Sequence, residues 1–541
     1  MRNYLALLAV VSGCIATAYG QRVSSAADRE RSNMSHDIVI YGDSSAAVTA
    51  AIQAKRMGKG VVFINPTRFL GGMSSSGLGA SDIANRGILG GVALEFYQAI
   101  ARHYGKRFVR SFEPHVGRRV FEKLIVDAGV KVVYDQKLDR DNGVKMDGQR
   151  IVSITTLTGQ TYRGKIFIDA TYVGDLMAAA GVTYTVGRES ASKYGESIAG
   201  VRRGDTQPRA HYTQKDKDHF IVDVDPYVKI GDASSGLLPH VHDIQPVNGA
   251  GDRKIQAYTY RLCLTKDPKL RLPINKPKGY REIDHELLMR NFEAGDHRFP
   301  ALIERLAGDG NKIDWNSMHA VGSDYGGANW GYPEADYETR RRIEKAHELY
   351  IRGFLWTLAN HPRVPKKIRK QASQWGLCKD EFPETDHWPP MIYIREARRM
   401  VGDYVMTQHD CSGRRQPPDP VVMGAFGMDS HVVQYFVNEK GHVRRDGTIW
   451  RTPPRPYGIS YRSIVPRRGE CENLLVPVCL SASHVAHGSI RMEPVFMALG
   501  QAAATAASIG IDSSTSVQDI DITELQRRLR EQGQVFTLAG G

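Results

Sequence analysis

An apolar strand, a tight turn and an Ala-rich helix follow one another over residues 37–57, and this succession constrains the fold more than any other feature. Residues 38–41 are apolar and form a run of strand length, the turn begins at Gly42, and the helical pattern continues to about Met57. The first turn of a helix presents unpaired N–H groups and the positive end of the helix dipole. This geometry suits the pyrophosphate of a dinucleotide.

The turn departs from the usual dinucleotide fingerprint, in which glycine occupies three positions. Gly42 holds the first position, whereas Ser44 and Ala47 stand at the other two, and Ala46 lies beside them. Small side chains still permit a close approach of phosphate to the backbone. The turn by itself is therefore compatible with either a dinucleotide cradle or an ordinary strand, turn and helix.

The segment after the helix favours the cradle. A second apolar strand, residues 61–64, ends at Asn65, where an acidic residue normally holds the ribose hydroxyls. An amide can also donate and accept hydrogen bonds there. The loop that follows is rich in glycine and serine, so its backbone can lie against a planar or phosphorylated ligand. Its candidate contacts are Arg68, Gly71, Gly72, Met73 and Ser74.

A third stretch has the pattern of a strand that returns to the same ligand. Residues 151–157 alternate between apolar and polar side chains before a turn at Gly159, which is typical of a β-hairpin. The apolar strand after the hairpin leads to three further candidate contacts. These are Asp169, Ala170 and Asp175.

A fourth stretch, residues 481–493, leads into an Ala-rich helix near the C-terminus. Pro494 stands in the first turn of this helix, a position that tolerates proline. The N–H groups of the helix therefore face the preceding loop, and the positive end of its dipole stabilises negative charge there. Gly488, Arg491 and Met492 of this loop are candidate ligand contacts.

The four blocks, in this order, resemble the FAD-dependent oxidoreductases of the glutathione-reductase-like superfamily, with a distant similarity to the flavoprotein subunits of fumarate reductase and succinate dehydrogenase. The resemblance runs from residue 36 to about residue 510. It implies an α/β fold, namely a Rossmann-like FAD-binding domain in three layers (β-β-α) with an inserted α+β substrate domain. The implied boundaries are 36–215 and 456–541 for the discontinuous FAD domain, and 216–455 for the substrate, or cap, domain.

FAD is the cofactor that the resemblance implies. In the family, the helix that begins at Pro494 lies near the pyrimidine edge of the flavin, which becomes negatively charged on reduction, and a helix dipole stabilises that charge. The loop from Gly71 to Gly79 contains neither histidine nor cysteine. We therefore expect FAD to be bound without a covalent link.

The middle of the chain supplies candidates for the chemistry. Arg261 lies in an alternating stretch and is a natural contact for an anion, and Arg395 shares a helical face with Arg398 or Arg399. Transfer of a hydride from an alcohol or amine to flavin requires a base, for which histidine has a suitable pKa. The histidines in question are His409, His431, His484 and His487.

Among these candidates we favour His487 as the base, because it lies beside the loop that faces the flavin, with His409 as a second catalytic histidine. Arg395 and Arg491 are favoured as contacts for an anion or for the flavin. The function expected is oxidation or reduction of a small polar or anionic substrate, sugar-derived compounds being one class, by hydride transfer to or from flavin. Two alternatives stay open: an NAD(P)H-dependent flavin hydroxylase, and a non-catalytic binding protein that retains the flavin fold.

The first 20 residues have the pattern of a cleavable signal peptide. Arg2 precedes an apolar run, small residues continue to Gly20, and a polar stretch begins at Gln21. This predicts export to the periplasm or secretion. Residues 11–14 also resemble a lipobox, which would place a lipid on Cys14 and anchor the mature protein to a membrane; we expect no membrane contact otherwise.

Composition bounds the remaining function classes. A net charge of +13 is not concentrated in a basic tract with interleaved aromatic residues, so we expect no nucleic-acid partner, and an anionic small molecule is the more specific interpretation. The six cysteines include no C-x-x-C pair, which predicts neither a metal site nor a disulfide framework. A single disulfide in an oxidising compartment stays open.

Overall fold

The computed structural model describes residues 35–204 and 219–538 of the 541-residue chain. The predicted signal peptide, Cys14 and the predicted domain boundary at residue 215 lie outside the described residues. The strands are β1 (Ser35–Tyr41), β2 (Val61–Ile64), β3 (Val132–Val133), β4 (Val144–Asp147), β5 (Arg150–Thr155), β6 (Thr161–Asp169), β7 (Tyr184–Thr185), β8 (Tyr227–Lys229), β9 (Asp232–Leu237), β10 (Val241–His242), β11 (Leu262–Thr265), β12 (Arg271–Leu272), β13 (Ala301–Arg305), β14 (Lys312–Ser317), β15 (Gly376–Cys378), β16 (Arg399–Met400), β17 (Pro420–Gly424), β18 (Met428–Ser430), β19 (Gln434–Val437), β20 (Val443–Asp446), β21 (Ile449–Arg451), β22 (Tyr457–Ser460) and β23 (Leu474–Leu475).

The α-helices of the same residues are α1 (Ser45–Arg56), α2 (Met73–Ser76), α3 (Gly91–His103), α4 (Pro114–Asp127), α5 (Asp175–Ala179), α6 (Ala191–Tyr194), α7 (Glu286–Glu293), α8 (Tyr337–Asn360), α9 (Lys366–Ala372), α10 (Gln408–Cys411), α11 (His484–Ile490), α12 (Glu493–Ser513) and α13 (Ile522–Glu531).

A seven-stranded mixed sheet organises the first part of the fold. Its strand order is β3-β2-β1-β6-β5-β4, and β23 pairs with the end of β6. The strand β1 pairs in parallel with β2 on one side and with β6 on the other. The chain therefore crosses from one side of β1 to the other, which creates the crevice at strand ends where α/β proteins bind dinucleotides.

Side chains of alternate residues in β1 enter two different cores, as the period of a strand requires. Ile38 and Ile40 pack in the core that contains α1, α3 and α12. Val39 and Tyr41 pack on the opposite face with apolar residues of the β5 strand and α5. The sheet therefore has helices on one face and the residues of β5 and α5 on the other, and this is the Rossmann-like layered fold that the sequence predicts.

The helix α12 occupies the centre of the first core. By length and composition this helix is apolar enough to cross a membrane, but 94% of its most apolar 18-residue stretch is buried within the protein. Gly500 allows α12 to approach α1 closely, because a side chain at that position would overlap the carbonyl oxygen of Ala46. Its apolar character therefore serves packing between the two helices.

A second hydrophobic core lies in the part of the chain between these blocks. An antiparallel sheet of order β12-β15-β11-β14-β13 packs against α7 and α8, and Leu262, Trp315 and Phe354 belong to this core. This combination of an antiparallel sheet and helices agrees with the α+β character expected of the inserted region. Met406 and Met428 nevertheless pack in the first core, and the domain boundaries that we predict from the sequence stay a prediction.

Candidate active site

The turn after β1 lies directly against the end of β6. The N–H group of Ala170 donates to the carbonyl of Tyr41 (2.8 Å), and the N–H group of Gly42 donates to the carbonyl of Ile64 (3.1 Å). A Cβ atom at position 42 would overlap the backbone carbonyl of Ala170. Position 42 therefore requires glycine for reasons of backbone packing, whichever ligand the turn holds.

The small residues after Gly42 bring α1 close to its neighbours. Ser44 donates its hydroxyl to the carbonyl of Ala170 (2.6 Å), and Ala46 and Ala47 are completely buried. As the N-cap of α1, Ser44 makes no side-chain hydrogen bond to the first turn. The N–H group of Ala47 donates to the carbonyl of Ser44 (3.2 Å), and the Ser44 side chain leaves the helix start uncapped, as an anion-binding helix start requires.

Three helix starts meet around the carboxyl group of Glu493. Its Oε2 accepts a hydrogen bond from Ser45 at the start of α1 (2.6 Å), and its Oε1 accepts one from the hydroxyl of Tyr172 (2.6 Å). The same hydroxyl accepts from the N–H group of Met73 at the start of α2 (3.0 Å). Burial raises the pKa of Glu493 to about 7, although the hydrogen bonds from Ser45 and Tyr172 oppose the rise.

The glycine-rich loop lies beside this carboxyl group. Gly71 and Gly72 have left-handed backbone angles (φ 94° and 61°), which favour glycine. A Cβ atom at Gly72 would overlap the hydroxyl of Tyr172 and lie 2.9 Å from the Cα atom of Ser44. The hydroxyl of Ser74 is 3.5 Å from Oε2 of Glu493. The structure thus brings the predicted loop, the turn after β1 and the C-terminal helix together.

Asn65 and Arg68, predicted at the ribose end of the cofactor, differ in environment. Asn65 is completely buried, and its amide is engaged inside its own loop: Oδ1 accepts from the N–H group of Thr67 (2.9 Å) and Nδ2 donates to the carbonyl of Phe69 (3.0 Å). Arg68 is largely exposed, 3.8 Å from Asp135. Asn65 therefore stabilises the loop, and its contact with ribose stays a prediction.

A cavity of about 220 Å³ opens at the carboxyl ends of β1, β2 and β6. Asp43, Thr67 and Thr171 line it from the three strand ends, and Lys137 and Arg341 add positive charge. This is the crevice in which open α/β sheets bind dinucleotides. Hydroxyl groups and cations of this kind suit ribose and phosphate.

Asp43 gives a direct indication that the cavity receives a polar ligand. Its Oδ1 atom is buried and has no hydrogen-bond partner among the described residues. Burial raises the pKa of Asp43 to about 7. A carboxyl oxygen in this position can accept a hydrogen bond from a ligand hydroxyl. The residues present therefore fit a dinucleotide.

Two further predicted carboxylates stabilise the fold beside the cavity. Asp169 accepts from the N–H groups of Thr171 (3.0 Å) and Met177 (2.8 Å), so it holds the turn that begins α5. Asp175 lines the cavity and pairs with Arg340 (2.6 Å) and Arg398 (2.9 Å). Burial tends to raise the pKa of Asp175, but hydrogen bonds and charge from these arginines lower it overall.

The helix α11 carries two buried histidines with different environments. His484 Nδ1 is 2.8 Å from Glu396, which also pairs with Arg399 (3.0 Å). Although burial alone would raise it, the pKa of Glu396 falls to about 2 because of the charges on His484 and Arg399. His487 is buried, and burial lowers its pKa to about 3. His487 is therefore neutral near pH 7.

A chain of buried charged groups begins at Arg395. Its Nη2 atom is 2.9 Å from Asp324 Oδ1, and Asp324 Oδ2 is 2.7 Å from Nδ1 of His431. The other ring nitrogen of His431 is 3.3 Å from Asp429, and Asp429 is 2.9 Å from Nη2 of Arg491. His431 therefore bridges two carboxylates, each of which has its own arginine.

Tyr393 closes this chain into a ring. Arg491 donates to the Tyr393 hydroxyl (2.9 Å), and the guanidinium carbons of Arg395 and Arg491 lie 5.1 and 5.8 Å from the centre of the tyrosine ring. Such distances permit cation–π attraction. The arginine network, as we name it, consists of Arg395, Asp324, His431, Asp429, Arg491 and Tyr393.

The arginines of this network have hydrogen-bond donors to spare. Arg395 is 1% exposed and Arg491 is 4% exposed. Within the described residues, Nε and Nη2 of Arg395 and Nε of Arg491 have no hydrogen-bond partner; Nη2 of Arg395 is near Asp324 without the geometry of a hydrogen bond. Buried polar groups in native proteins are almost always hydrogen-bonded, so these donors indicate a site for a ligand that accepts hydrogen bonds.

Two segments of the cofactor side lie near the arginine network: the helix α11 and the end of the glycine-rich loop. Gly488 lies against the backbone of Asp429, and Gly77 lies against the carbonyl of Arg261. Arg261 is buried, its side chain pairs with Asp314, and burial lowers its pKa. The helix α11 is therefore adjacent to the network, and the end of the glycine-rich loop is adjacent to Arg261, whose pKa the charge of Arg395 also lowers.

The predicted residues thus divide into two groups. Arg395 and Arg491 meet in the network, whereas His409 on α10 lies 3.0 Å from the carbonyl of Tyr194 and makes no hydrogen bond to the network within the described residues. Met492 packs in the first core and caps α12. Four residues of the site were not predicted from the sequence, namely Tyr172, Asp324, Asp429 and Tyr393. Of these, Asp429 could have been found, because it stands two residues before the candidate base His431.

One further acidic cluster resembles a metal site. Ligand atoms of Glu113, His115 and Glu381 lie within 4.8 Å of one another. The ammonium group of Lys312 is 2.6 Å from Glu113 and 3.0 Å from Glu381. The lysine therefore supplies the positive charge of this cluster.

The strand order, the cavity at the switch point and the uncapped helix start define a dinucleotide-binding protein of the Rossmann-like class. A family model described as FAD dependent oxidoreductase matches residues 37–529. The chain belongs to this family: it is an FAD-dependent oxidoreductase, and the resemblance, enzyme class and cofactor predicted from the sequence are confirmed.

Solved structures of other proteins match parts of the chain. A 3-ketosteroid-delta4-(5alpha)-dehydrogenase from Rhodococcus jostii RHA1 has 14% identity over 27% of this chain and 49% of that chain, with a TM-score of 0.19. A thioredoxin reductase from T. acidophilum has 20% identity over 30% of this chain and 40% of that chain, with a TM-score of 0.17. An L-amino acid deaminase from Proteus vulgaris has 13% identity over 29% of this chain and 53% of that chain, with a TM-score of 0.21. The match covers about half, or less, of each of these structures. No curated protein matches the chain.

Proposed function

We propose that this FAD-dependent oxidoreductase acts on a small anionic metabolite, most simply a carboxylate, which the arginine network holds. The observation that carries the proposal is the pair of buried Nε–H donors of Arg395 and Arg491, which have no hydrogen-bond partner within the described residues. Leaving a buried donor unpaired costs about 1–3 kcal/mol. An anion between the two guanidinium groups would satisfy these donors, and arginine binds carboxylates particularly well.

The position of the network supports the same substrate class. Gly488 of α11, the helix that precedes α12, lies against Asp429 of the network, and Gly77 at the end of the glycine-rich loop lies against Arg261. A substrate held by the network would therefore lie near the cofactor, as hydride transfer requires. The carboxylates that accompany Arg395 and Arg491 hold the guanidinium groups in place before the substrate binds.

We propose His431 as the group that exchanges a proton with the substrate. Its two ring nitrogens face Asp324 and Asp429, which orient the ring. The side chain is 12% exposed, so protons can reach it from solvent. His487, the base predicted from the sequence, has a pKa near 3 and is a weak proton acceptor at neutral pH.

The division of labour follows from these positions. Bound FAD supplies the centre that accepts or donates the hydride. Arg395 and Arg491 bind and orient the anionic group, while the burial of the network excludes water and strengthens the electrostatic attraction. His431 takes up the proton of an alcohol or amine during oxidation, or returns it during reduction.

The binding mode of FAD and the cellular location of the protein are further proposals. We propose that FAD is bound without a covalent link, because the loop from Gly71 to Gly79 contains neither histidine nor cysteine. We propose that the protein is exported, because its first 20 residues have the pattern of a signal peptide. The alternative is a lipid anchor on Cys14, which would hold the protein at a membrane.

Two absorbance measurements test the function. Heat denaturation of the yellow protein should release flavin into the supernatant; flavin that stays with the precipitate would refute non-covalent binding. Anaerobic mixing with hydroxy and amino acids, each paired with its neutral amide, should then bleach the flavin with the acids only. Equal bleaching by the amides would refute an anionic substrate, and bleaching by NAD(P)H would favour the hydroxylase.

A further inference from the structure

Two cysteines face each other across neighbouring strands of the inserted sheet. The strands β11 and β15 are antiparallel, and Leu264 stands opposite Leu377. This register places Cys263 directly opposite Cys378, and their Sγ atoms are 3.6 Å apart. Both cysteines are buried, and only Leu306 completes their small apolar cluster.

The backbone positions suit a covalent bond between the two residues. Residues directly opposite in an antiparallel pair have Cα atoms about 4.5–5.5 Å apart. Disulfides span Cα separations of about 4.4–6.8 Å with sulfur atoms about 2.05 Å apart. The two sulfur atoms of Cys263 and Cys378 can therefore meet after a change of side-chain rotamer, without movement of the strands.

The other described cysteines have different surroundings. The Cys471 thiol is 3.6 Å from Oδ1 of Asn473, and the Cys479 thiol is 3.5 Å from the carbonyl of Thr171. Cys411 is buried in the first core. Within the described residues, Cys263 and Cys378 are thus the pair whose sulfur atoms are in contact.

We propose that Cys263 and Cys378 form a disulfide when the protein folds in an oxidising compartment. Each thiol loses its proton, the pair loses two electrons, and a new S–S bond forms. A small-molecule or protein disulfide accepts the two electrons and two protons and leaves as two thiols. The proposal rests on the strand geometry and does not depend on the substrate proposed above.

Burial determines when the bond forms. It raises the pKa of the Cys263 thiol well above its ordinary value, so little thiolate, the reactive form, is present in the folded protein. We therefore expect oxidation to occur while β15 docks on β11. Once formed, the bond is shielded from soluble reductants by the same burial.

The bond would brace the strand that carries a buried arginine. Arg261 immediately precedes β11, and Cys263 stands opposite Asp314, the partner of Arg261. The two cysteines are 115 residues apart in the chain. A link across so long a loop restricts the unfolded chain, and the oxidised protein should unfold at a higher temperature than the reduced protein.

Peptide mapping of the full chain tests the proposal. The protein is produced in a bacterial host with an oxidising cytoplasm and in a reducing host, then denatured with an alkylating reagent and cut with trypsin without reduction. Cleavage at lysine and arginine releases residues 262–266 and 371–379, each with one cysteine. The expected result is a linked pair of these peptides, lighter by two hydrogen atoms than their sum, from the oxidising host only.

Two variants and a reduction control complete the test. In the oxidising host, Cys378→Ser should leave Cys263 alkylated, whereas Cys471→Ser should leave the linked peptides intact. Reduction under denaturing conditions and alkylation should convert the linked pair into two alkylated peptides. Full alkylation of both cysteines in the wild-type protein from the oxidising host would overturn the proposal, even if Cys378→Ser fails to fold.

Discussion

The hydroxyl of Tyr172 donates a hydrogen bond of 2.6 Å to the carboxyl group of Glu493, which joins the end of β6 to the first residue of α12. The positive ends of α1 and α12 both face this carboxyl group, yet it is completely buried. Burial outweighs the hydrogen bonds and raises its pKa to about 7. The burial of this carboxyl group therefore makes stability depend on pH up to neutrality.

Replacement of Glu493 by glutamine should remove this pH dependence. The folded pKa of about 7 is above the ordinary value of 4.5, so the stabilising effect is fully present below pH 4.5 and is lost as the pH rises to about 7. At about 1.4 kcal/mol per pH unit, the loss amounts to about 3 kcal/mol. Urea unfolding at pH 5 and pH 8 measures it, with Glu531→Gln, at a side chain that is 59% exposed, as control. An unchanged difference in Glu493→Gln would contradict the assignment.

A side chain at Gly42 should abolish cofactor binding. Valine would overlap the carbonyl of Ala170 and push β1 and β6 apart at the cavity, and overpacking of this kind costs about 1–3 kcal/mol or more. We expect Gly42→Val to be purified without flavin and to unfold at a lower temperature. Gly469→Val is the matched control, because a Cβ atom there meets nothing within 4 Å. Normal flavin content in Gly42→Val would place the cradle elsewhere.

The exchange of Asn65 for aspartate should destabilise the protein rather than improve ribose binding. Aspartate lacks the amide that donates to the carbonyl of Phe69, and it would bring a buried negative charge to that carbonyl. We expect a loss of about 1–3 kcal/mol in the free energy of unfolding. Asn360→Asp breaks an equivalent bond, to Trp356, at an exposed site and should cost much less. Tighter FAD binding without loss of stability would support the ribose role.

Removal of the imidazole at position 431 should slow flavin reduction by substrate. A positioned acid or base contributes about 10²–10⁴-fold to rate. We expect His431→Asn to lose a factor in this range in kcat with a smaller change in KM. His487→Asn should have the smaller effect on kcat. The reverse order would return the role of base to His487.

Exchange of Arg491 for lysine should weaken substrate binding. Lysine keeps the charge opposite Asp429 but has no planar set of donors, so it cannot also bond the Tyr393 hydroxyl and hold a carboxylate in the geometry of arginine. We expect an increase of about tenfold or more in the Kd of an anionic ligand, which corresponds to about 1.4 kcal/mol. Titration of flavin absorbance with the ligand measures it; an unchanged Kd would exclude Arg491 from the anion site.

Local patterns made the cofactor side of the fold predictable. Short apolar runs identify β1 and β6, and Gly42, Gly71 and Gly72 mark places where a close approach or a left-handed backbone excludes other residues. Pro494 marks the first turn of α12. These signals act between residues that are near in the chain, which is why they are visible without a structure.

The arginine network was not predictable as a unit. Its members come from separate loops and strands, and a buried arginine has the same letter in the sequence as an exposed one. Asp324 and Arg395 are 71 positions apart, and Arg491 lies far beyond them. Only tertiary packing places Asp324 and Asp429 on the two sides of His431 and so distinguishes it from His409, His484 and His487.

The sequence by itself determined the family, the cofactor and the layered fold, because these depend on the period of side chains and on small residues at turns. The tertiary structure decided which charged groups are buried together, and hence their pKa values and spare hydrogen-bond donors. Asn65 shows the difference: its position after β2 follows from the sequence, but the engagement of its amide with Thr67 and Phe69 depends on the folded loop. Electrostatic effects of burial arise from contacts between distant parts of the chain, and these exist only after folding.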